Sequence, residues 1–202
     1  MKVTNLLRLT FFLLATVSPL WAQTNGGNPV AEQQLKEALT LNEQGVALMK
    51  TAHYREAVEA FRQAVRVKPD FAVGYNNLGV TYNVLGQYPE AIEALKQALR
   101  IAPDYVEAHY DLGVAYANAR RYREAVAAYQ RALALKPNFA QAHNNLGVAF
   151  NNWGRYEEAI EAYKQAIRLK PDYAEAYNNL GTAQADLGHY EAAIKSFASN
   201  GV

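Results

Sequence analysis

The chain has 202 residues, and 50% of them are hydrophobic, which is enough for a substantial core. Its 20 basic and 19 acidic residues give a net charge of +1, so no strong field of one sign favours nucleic acid or an acidic membrane surface. Cysteine is absent, which excludes disulfides, thiolate metal sites and cysteine nucleophiles.

The N-terminus has the pattern of a secretory signal peptide. Lys2 and Arg8 precede an apolar run over residues 9–17, and the segment SPLWA (18–22) then breaks the helix at a proline and ends in the small residue Ala22, where cleavage is expected. A membrane anchor is the alternative, but a spanning helix needs roughly 20 apolar residues and this run is about half as long. We therefore expect a signal peptide over 1–22 and an exported protein without a membrane span in its mature form. It would be periplasmic in a Gram-negative host and secreted otherwise.

A polar segment over 23–37 is expected to form a tether and a lead-in to the first helix. Residues 23–29 (QTNGGNP) hold two glycines and a proline but no apolar side chain. This composition is typical of a flexible linker.

The rest of the chain repeats with a period of 34 residues. Glycine recurs at this spacing from Gly45 to Gly181 and alanine from Ala57 to Ala193, and prolines recur in the same way. Such a period predicts a stacked array of structural repeats. The expected units are 38–71, 72–105, 106–139, 140–173 and a shorter 174–202.

Each unit has the pattern of two amphipathic helices. Tyr75, Leu78 and Tyr82 are spaced by three and four residues, and the second half of the unit continues this spacing. Small residues such as Gly79 and Ala91 allow the two helices to approach closely. The sequence therefore predicts an all-α fold of helix-turn-helix units.

The turns and helix starts have local signals of their own. Glycine is expected to end the first helix of units two, four and five in a left-handed conformation, whereas Ala52 and Arg120 predict less ideal turns in units one and three. Pairs such as Asp104 with Glu107 have the spacing of capping boxes, and so do the matching pairs in units four and five.

The unit YNNLGVTYNVLGQYPEAIEALKQALRIAPDY (75–105) resembles the tetratricopeptide repeat (TPR), and the resemblance extends from Ala38 to the C-terminus. It implies a right-handed α-solenoid whose concave surface is built from the first helix of each unit. We call this surface the inner face. Since the family is defined by its architecture, the resemblance implies a binding role without naming a ligand.

Side-chain amides dominate the positions expected on the inner face. The candidate peptide-binding residues are Asn42, Asn76, Asn77, Asn83, Tyr110, Asp111, Asn144, Asn145, Asn151, Asn178 and Asn179. A carboxamide can donate to and accept from the main chain of an extended peptide, whatever side chains that peptide carries. The hypothesis is a surface that reads peptide backbone.

Asparagines before Leu-Gly are similar to those in the repeat domains of O-linked N-acetylglucosamine transferases, which hold peptide main chain. Asn77, Asn145 and Asn179 match that position, whereas Glu43 and Asp111 depart from it. A purely structural role for these asparagines remains the alternative. The chain has no room for a transferase domain.

Charge on the inner face favours a neutral or basic partner segment. Glutamates and aspartates outnumber cations there, and Lys50 is its one expected lysine or arginine. No phosphate loop, nucleophile elbow, zinc-protease helix or dinucleotide fingerprint occurs in the sequence, so we expect no enzyme activity and no cofactor. His109 and His143 recur at one repeat position, where packing explains them better than a metal site.

The last unit predicts an exposed apolar edge formed by Ala193, Ile194 and Phe197. The leading hypothesis is an exported scaffold that binds an extended segment of another protein on its inner face. The alternative is a structural assembly unit that forms a homo-oligomer through this edge or through the convex face.

Overall fold

A computed structural model describes residues 28–199 of the chain. Within that span the chain forms ten α-helices and no β-strand. They are α1 (Pro29–Lys50), α2 (Tyr54–Val67), α3 (Ala72–Val84), α4 (Tyr88–Ile101), α5 (Val106–Asn118), α6 (Tyr122–Leu135), α7 (Ala140–Asn152), α8 (Tyr156–Leu169), α9 (Ala174–Asp186) and α10 (Tyr190–Ala198).

The helices pack in sequential pairs, and the pairs stack on one another. The main contacts join the two helices of each unit, α1 with α2 through to α9 with α10. Each second helix also packs on the first helix of the next unit, and successive first helices contact each other. The all-α solenoid predicted from the sequence is therefore confirmed.

A glycine in each first helix accommodates a large side chain from the second helix. A Cβ atom built on Gly147 would lie 2.6 Å from Cε1 of Tyr163, and one on Gly79 would lie 2.5 Å from Cγ of Leu95. Both of these second-helix side chains are buried. A Cβ atom on Gly79 would also lie 3.1 Å from the carbonyl oxygen of Ala91. The two helices therefore approach closely at these small residues, as the sequence predicted.

The turns inside the units adopt the left-handed conformation that the sequence predicted. Gly86 has a φ of 74°, and the two units without this glycine place Ala52 at 60° and Arg120 at 59°. Nearby amides close each turn, as in the bond of 2.8 Å from Arg121 N to Tyr116 O. A side chain in this conformation brings its Cβ close to the following carbonyl oxygen, which costs roughly 1–2 kcal/mol.

Replacing Arg120 by glycine should therefore stabilise the protein. We expect Arg120→Gly to raise the free energy of unfolding by about 1 kcal/mol, measured by urea denaturation. Arg123→Gly is the matched control because Arg123 lies in the first turn of helix α6, where glycine has no such advantage and should lower stability by up to about 1 kcal/mol. A loss of stability in both variants would show that the turn is not strained.

The capping boxes predicted at the first helices are absent from the structure. Each helix starts one residue later than predicted, so the cap positions are occupied by Tyr105, Phe139 and Tyr173, none of which makes a side-chain capping bond. Asp104 instead pairs with Arg131 at 2.9 Å.

Helix α1 begins before the first repeat unit and is longer than the other first helices. It begins at Pro29, capped by the Asn28 side chain, which accepts a bond of 3.0 Å from Val30 N. The predicted lead-in is thus helical from Pro29 onward, while the predicted signal peptide and the start of the tether lie outside the described residues. In the part of the chain that is described, no helix has the length and apolar character needed to cross a bilayer.

Candidate peptide-binding face

Eight of the eleven candidate residues predicted from the sequence form one line across the five units. At each of the four junctions between units, a hydrogen bond joins the residue at position five of one repeat unit to the residue at position six of the next. Both positions lie on the first helices. The four bonds are Asn77 Nδ2 to Asn42 Oδ1 (2.8 Å), Asn76 Nδ2 to Asp111 Oδ2 (3.0 Å), Asn145 Nδ2 to Tyr110 Oη (3.0 Å) and Asn179 Nδ2 to Asn144 Oδ1 (3.1 Å). We call this line the polar ladder.

The polar ladder holds neighbouring units in register. Each bond spans two first helices that contact each other, and its loss would leave a polar group in a half-buried place. Sequence reasoning placed these residues on one face but did not anticipate that they bond to one another.

Burial divides the candidates into two groups. Asn76 and Asn144 are only 5% and 0% exposed, so their role lies within the protein. Asn144 also donates to Glu175 Oε1 at 3.2 Å, a partner that the sequence pattern did not identify. Partly buried or exposed positions, which a ligand can reach, comprise Asn42, Asn77, Tyr110, Asp111, Asn145, Asn178 and Asn179.

A second amide pair lies further along the first helices. Asn118 Nδ2 donates to Asn83 Oδ1 at 3.0 Å, across the junction of units two and three. In unit four, Asn151 is half-buried and its Oδ1 has no hydrogen-bond partner. Asn152 next to it donates to Val148 O at 2.8 Å. The amide surface therefore continues beyond the polar ladder, although less regularly.

Asp111 is the acidic member of the polar ladder and has a perturbed proton affinity. Burial raises its pKa from 3.8 to about 6, opposed by the hydrogen bond from Asn76 and reinforced by the negative charge of Glu107. The same carboxylate lies close enough to Tyr110 to raise the pKa of that phenol, after the larger effect of burial. Asp111 thus titrates near neutral pH in a region of low polarity.

The predicted apolar edge is only partly available at the surface. Ala193 is buried, whereas Ile194 is 69% and Phe197 44% exposed. The Phe197 ring packs over Gly181 of the same unit, where an added Cβ would meet it at 2.6 Å. Its 34-residue spacing from Tyr163 was the signal for this internal contact.

The two histidines at equivalent repeat positions tie the start of a first helix to the turn before it. Nε2 of His109 is 2.8 Å from Pro103 O, and Nε2 of His143 is 2.9 Å from Pro137 O. Each ring therefore donates to a carbonyl, which fixes its orientation. Between residues 28 and 199, no three His, Asp or Glu side chains cluster as metal ligands.

Models of known repeat families match most of the chain between residues 38 and 188. A TPR repeat family model matches residues 81–119, 121–152 and 153–188, and two tetratricopeptide repeat models match 60–93 and 38–71. No curated protein matches the chain.

Several solved structures are also similar to this chain over most of its length. A crystal structure of MamA is 31% identical, with a TM-score of 0.72 over 77% of this chain and 91% of MamA. MamA from Desulfovibrio magneticus RS-1 (21%, TM-score 0.76, 81% and 93% covered) shares the fold. So does YrrB, a TPR protein with an unusual peptide-binding site (24%, TM-score 0.69, 84% and 88% covered). These matches support a scaffold for protein–protein interaction, and they show that the chain belongs to the tetratricopeptide repeat family.

Proposed function

We propose that this chain is an exported TPR scaffold whose inner face binds an extended segment of another protein. The observation that supports this function best is the polar ladder. Its accessible amides recur along the stack in units one, two, four and five, at Asn42, Asn77, Asn145 and Asn179, as a peptide lying along the stack would require.

The ladder bonds leave the accessible amides with unused capacity. A carboxamide has two N–H donors and an oxygen that can accept two bonds. The bond from Asn77 to Asn42 uses one N–H of Asn77. Its second N–H and its oxygen are left to bond the C=O and N–H groups of a peptide.

Binding is tested with peptides selected from a random library of twelve-residue sequences displayed on phage. We expect a selected, fluorescently labelled peptide to lose affinity by about 30-fold for the variant with Asn77, Asn145 and Asn179 all changed to alanine, because each lost neutral hydrogen bond costs about 0.5–1.5 kcal/mol. Fluorescence anisotropy measures the affinity, and circular dichroism checks that the variant remains folded.

The matched control changes three amides on the second helices, Gln63, Gln97 and Gln165, to alanine. They share one repeat position but lie on α2, α4 and α8, away from the inner face. This variant should bind the peptide as the wild type does. Equal binding by the inner-face variant would show that its asparagines serve the fold alone.

Export is the second part of the proposal, supported by the charged, apolar and cleavage-site pattern of residues 1–22. We expect the mature protein to start at or near Gln23 and to be recovered outside the cytoplasm of its host. Mass spectrometry of the N-terminus measures this directly, and an intact Met1 in the purified protein would contradict it.

Self-assembly is the second candidate function, favoured by exposed apolar side chains on α10. Tyr190 is 68% and Ile194 69% exposed. If this surface joins copies of the chain, Ile194→Glu should lower the mass measured by light scattering, whereas Leu169→Glu, at an exposed apolar position on α8, should not. Equal masses for all three proteins would rule out this edge.

A further inference from the structure

Ion pairs in the described residues avoid the inner face. All six of them lie on second helices or in the turns next to these helices. They are Arg62 with Glu59, Lys68 with Asp70, Arg121 with Glu124, Arg131 with Asp104, Arg155 with Glu158 and Lys164 with Glu161. The chain thus supplies cations to carboxylates outside the inner face.

Carboxylates on the inner face have no such partners. Helices α3, α5, α7 and α9 contain no lysine or arginine, yet they carry Glu107, Asp111, Glu175 and Asp186. The two histidines of these helices are engaged with proline carbonyls. The negative charge of these four helices is therefore not balanced by cations of their own, and the one lysine expected on the inner face, Lys50, lies on α1.

Asp111 is the most deeply placed of these carboxylates. It is partly buried and accepts one bond, from Asn76 Nδ2 at 3.0 Å. Asn76 itself is 5% exposed, and its Oδ1 is buried without a hydrogen-bond partner. The buried Asn76 Oδ1 thus lacks a donor, and its neighbour Asp111 is a largely desolvated carboxylate without a cation, which is costly.

Neighbouring groups complete a site for a cation. Glu107 lies one turn before Asp111 on α5, so the two carboxylates share a face. Tyr105 occupies the cap position just before α5, and burial, with smaller contributions from the negative charges of Glu107 and Asp111, raises the pKa of its phenol. An aromatic ring at the start of a helix that carries two carboxylates suits the stem and the charge of a lysine or arginine side chain.

We propose that Asp111 and Glu107 bind a lysine or arginine side chain of the extended segment held on the inner face. This inference rests on the proposed function and adds the chemistry of the partner: a segment with a cationic residue opposite unit three. Arginine fits best, because its guanidinium presents five N–H donors to the oxygens of the two carboxylates.

The test uses the peptides selected from the phage library against the wild-type protein. Lysine and arginine should be enriched at one position of the selected sequences, and citrulline, a neutral analogue of arginine, should weaken binding about tenfold or more when placed there. Asp111→Asn should weaken the parent peptide by a similar factor. Both changes remove the same contact. When the citrulline peptide is measured against Asp111→Asn, the loss of affinity should therefore be no larger than for either change alone.

Glu157→Gln provides the control, since Glu157 is an exposed glutamate on second helix α8. It should leave the affinity unchanged. Selected peptides that lose affinity in the triple asparagine variant but show no preference for lysine or arginine would overturn the cation site and leave the proposed function standing. A library that yields no binder to the inner face would overturn both.

Discussion

Gly147→Val should destabilise the protein by about 3 kcal/mol, because it places a branched side chain where a buried ring already lies. A Cβ at this position would sit 2.6 Å from Cε1 and 2.7 Å from Cδ1 of Tyr163, well inside van der Waals contact. Tyr163 cannot yield easily, since it is 2% exposed in the core between α7 and α8. The free energy of unfolding is measured by urea denaturation.

A control and a rescue separate the clash from other effects. Gln141→Val puts the same residue at an exposed position of α7 and should change stability by no more than about 0.5 kcal/mol. Tyr163→Ala should itself cost about 3–5 kcal/mol, but in its presence Gly147→Val should cost much less. Additive losses in the double variant would mean that the ring does not set the need for glycine.

The repeat architecture could be predicted from the sequence because its causes are local or periodic. Helix pairs follow from apolar spacing, and their close approach follows from small residues such as Gly79 and Ala91. The left-handed turns at Ala52 and Arg120 were expected because three other units place glycine there. These features depend on residue type and spacing alone.

Features that depend on how one unit is offset from the next could not be predicted from the sequence. The polar ladder pairs residues 35 apart, as in Asn42 with Asn77, so it is displaced by one from the 34-residue period. This displacement arises from how one unit is rotated on the next, which no spacing within a unit reveals. The predicted capping boxes are absent for a local reason. The helix starts at Val106 rather than one residue earlier, so Asp104 does not occupy the cap position.

Asp111→Asn should stabilise the protein at neutral pH, in contrast to most changes at a buried hydrogen bond. The pKa of Asp111 is about 6 in the folded state and near 3.8 in the unfolded state, so above pH 6 the folded chain holds a charge that its surroundings disfavour. A difference of about two pKa units corresponds to about 3 kcal/mol. An amide removes this cost, and its oxygen can still accept the bond from Asn76.

The pH dependence identifies the cause. Near pH 3 the carboxyl is mostly protonated in both states and the wild type bears almost no penalty; the penalty grows between about pH 3 and 6 and is complete above that range. The advantage of Asp111→Asn in urea denaturation should therefore be largest at pH 7.5 and nearly vanish at about pH 3. Asp186→Asn, at an exposed position of the inner face, should show little advantage at either pH.

Asp111→Asn can thus have two expected effects of opposite sign, a gain in stability and a loss of peptide affinity. If Asp111 serves only the fold, Asp111→Asn should improve stability and leave peptide affinity unchanged. If Asp111 is kept charged to receive a cation from a partner, the same variant should be more stable and bind more weakly, because the charge that burial disfavours in the free protein is the one that the ligand neutralises. Stability and affinity measured on the same preparation at pH 7.5 decide between these roles, and a variant that is less stable at that pH would contradict both.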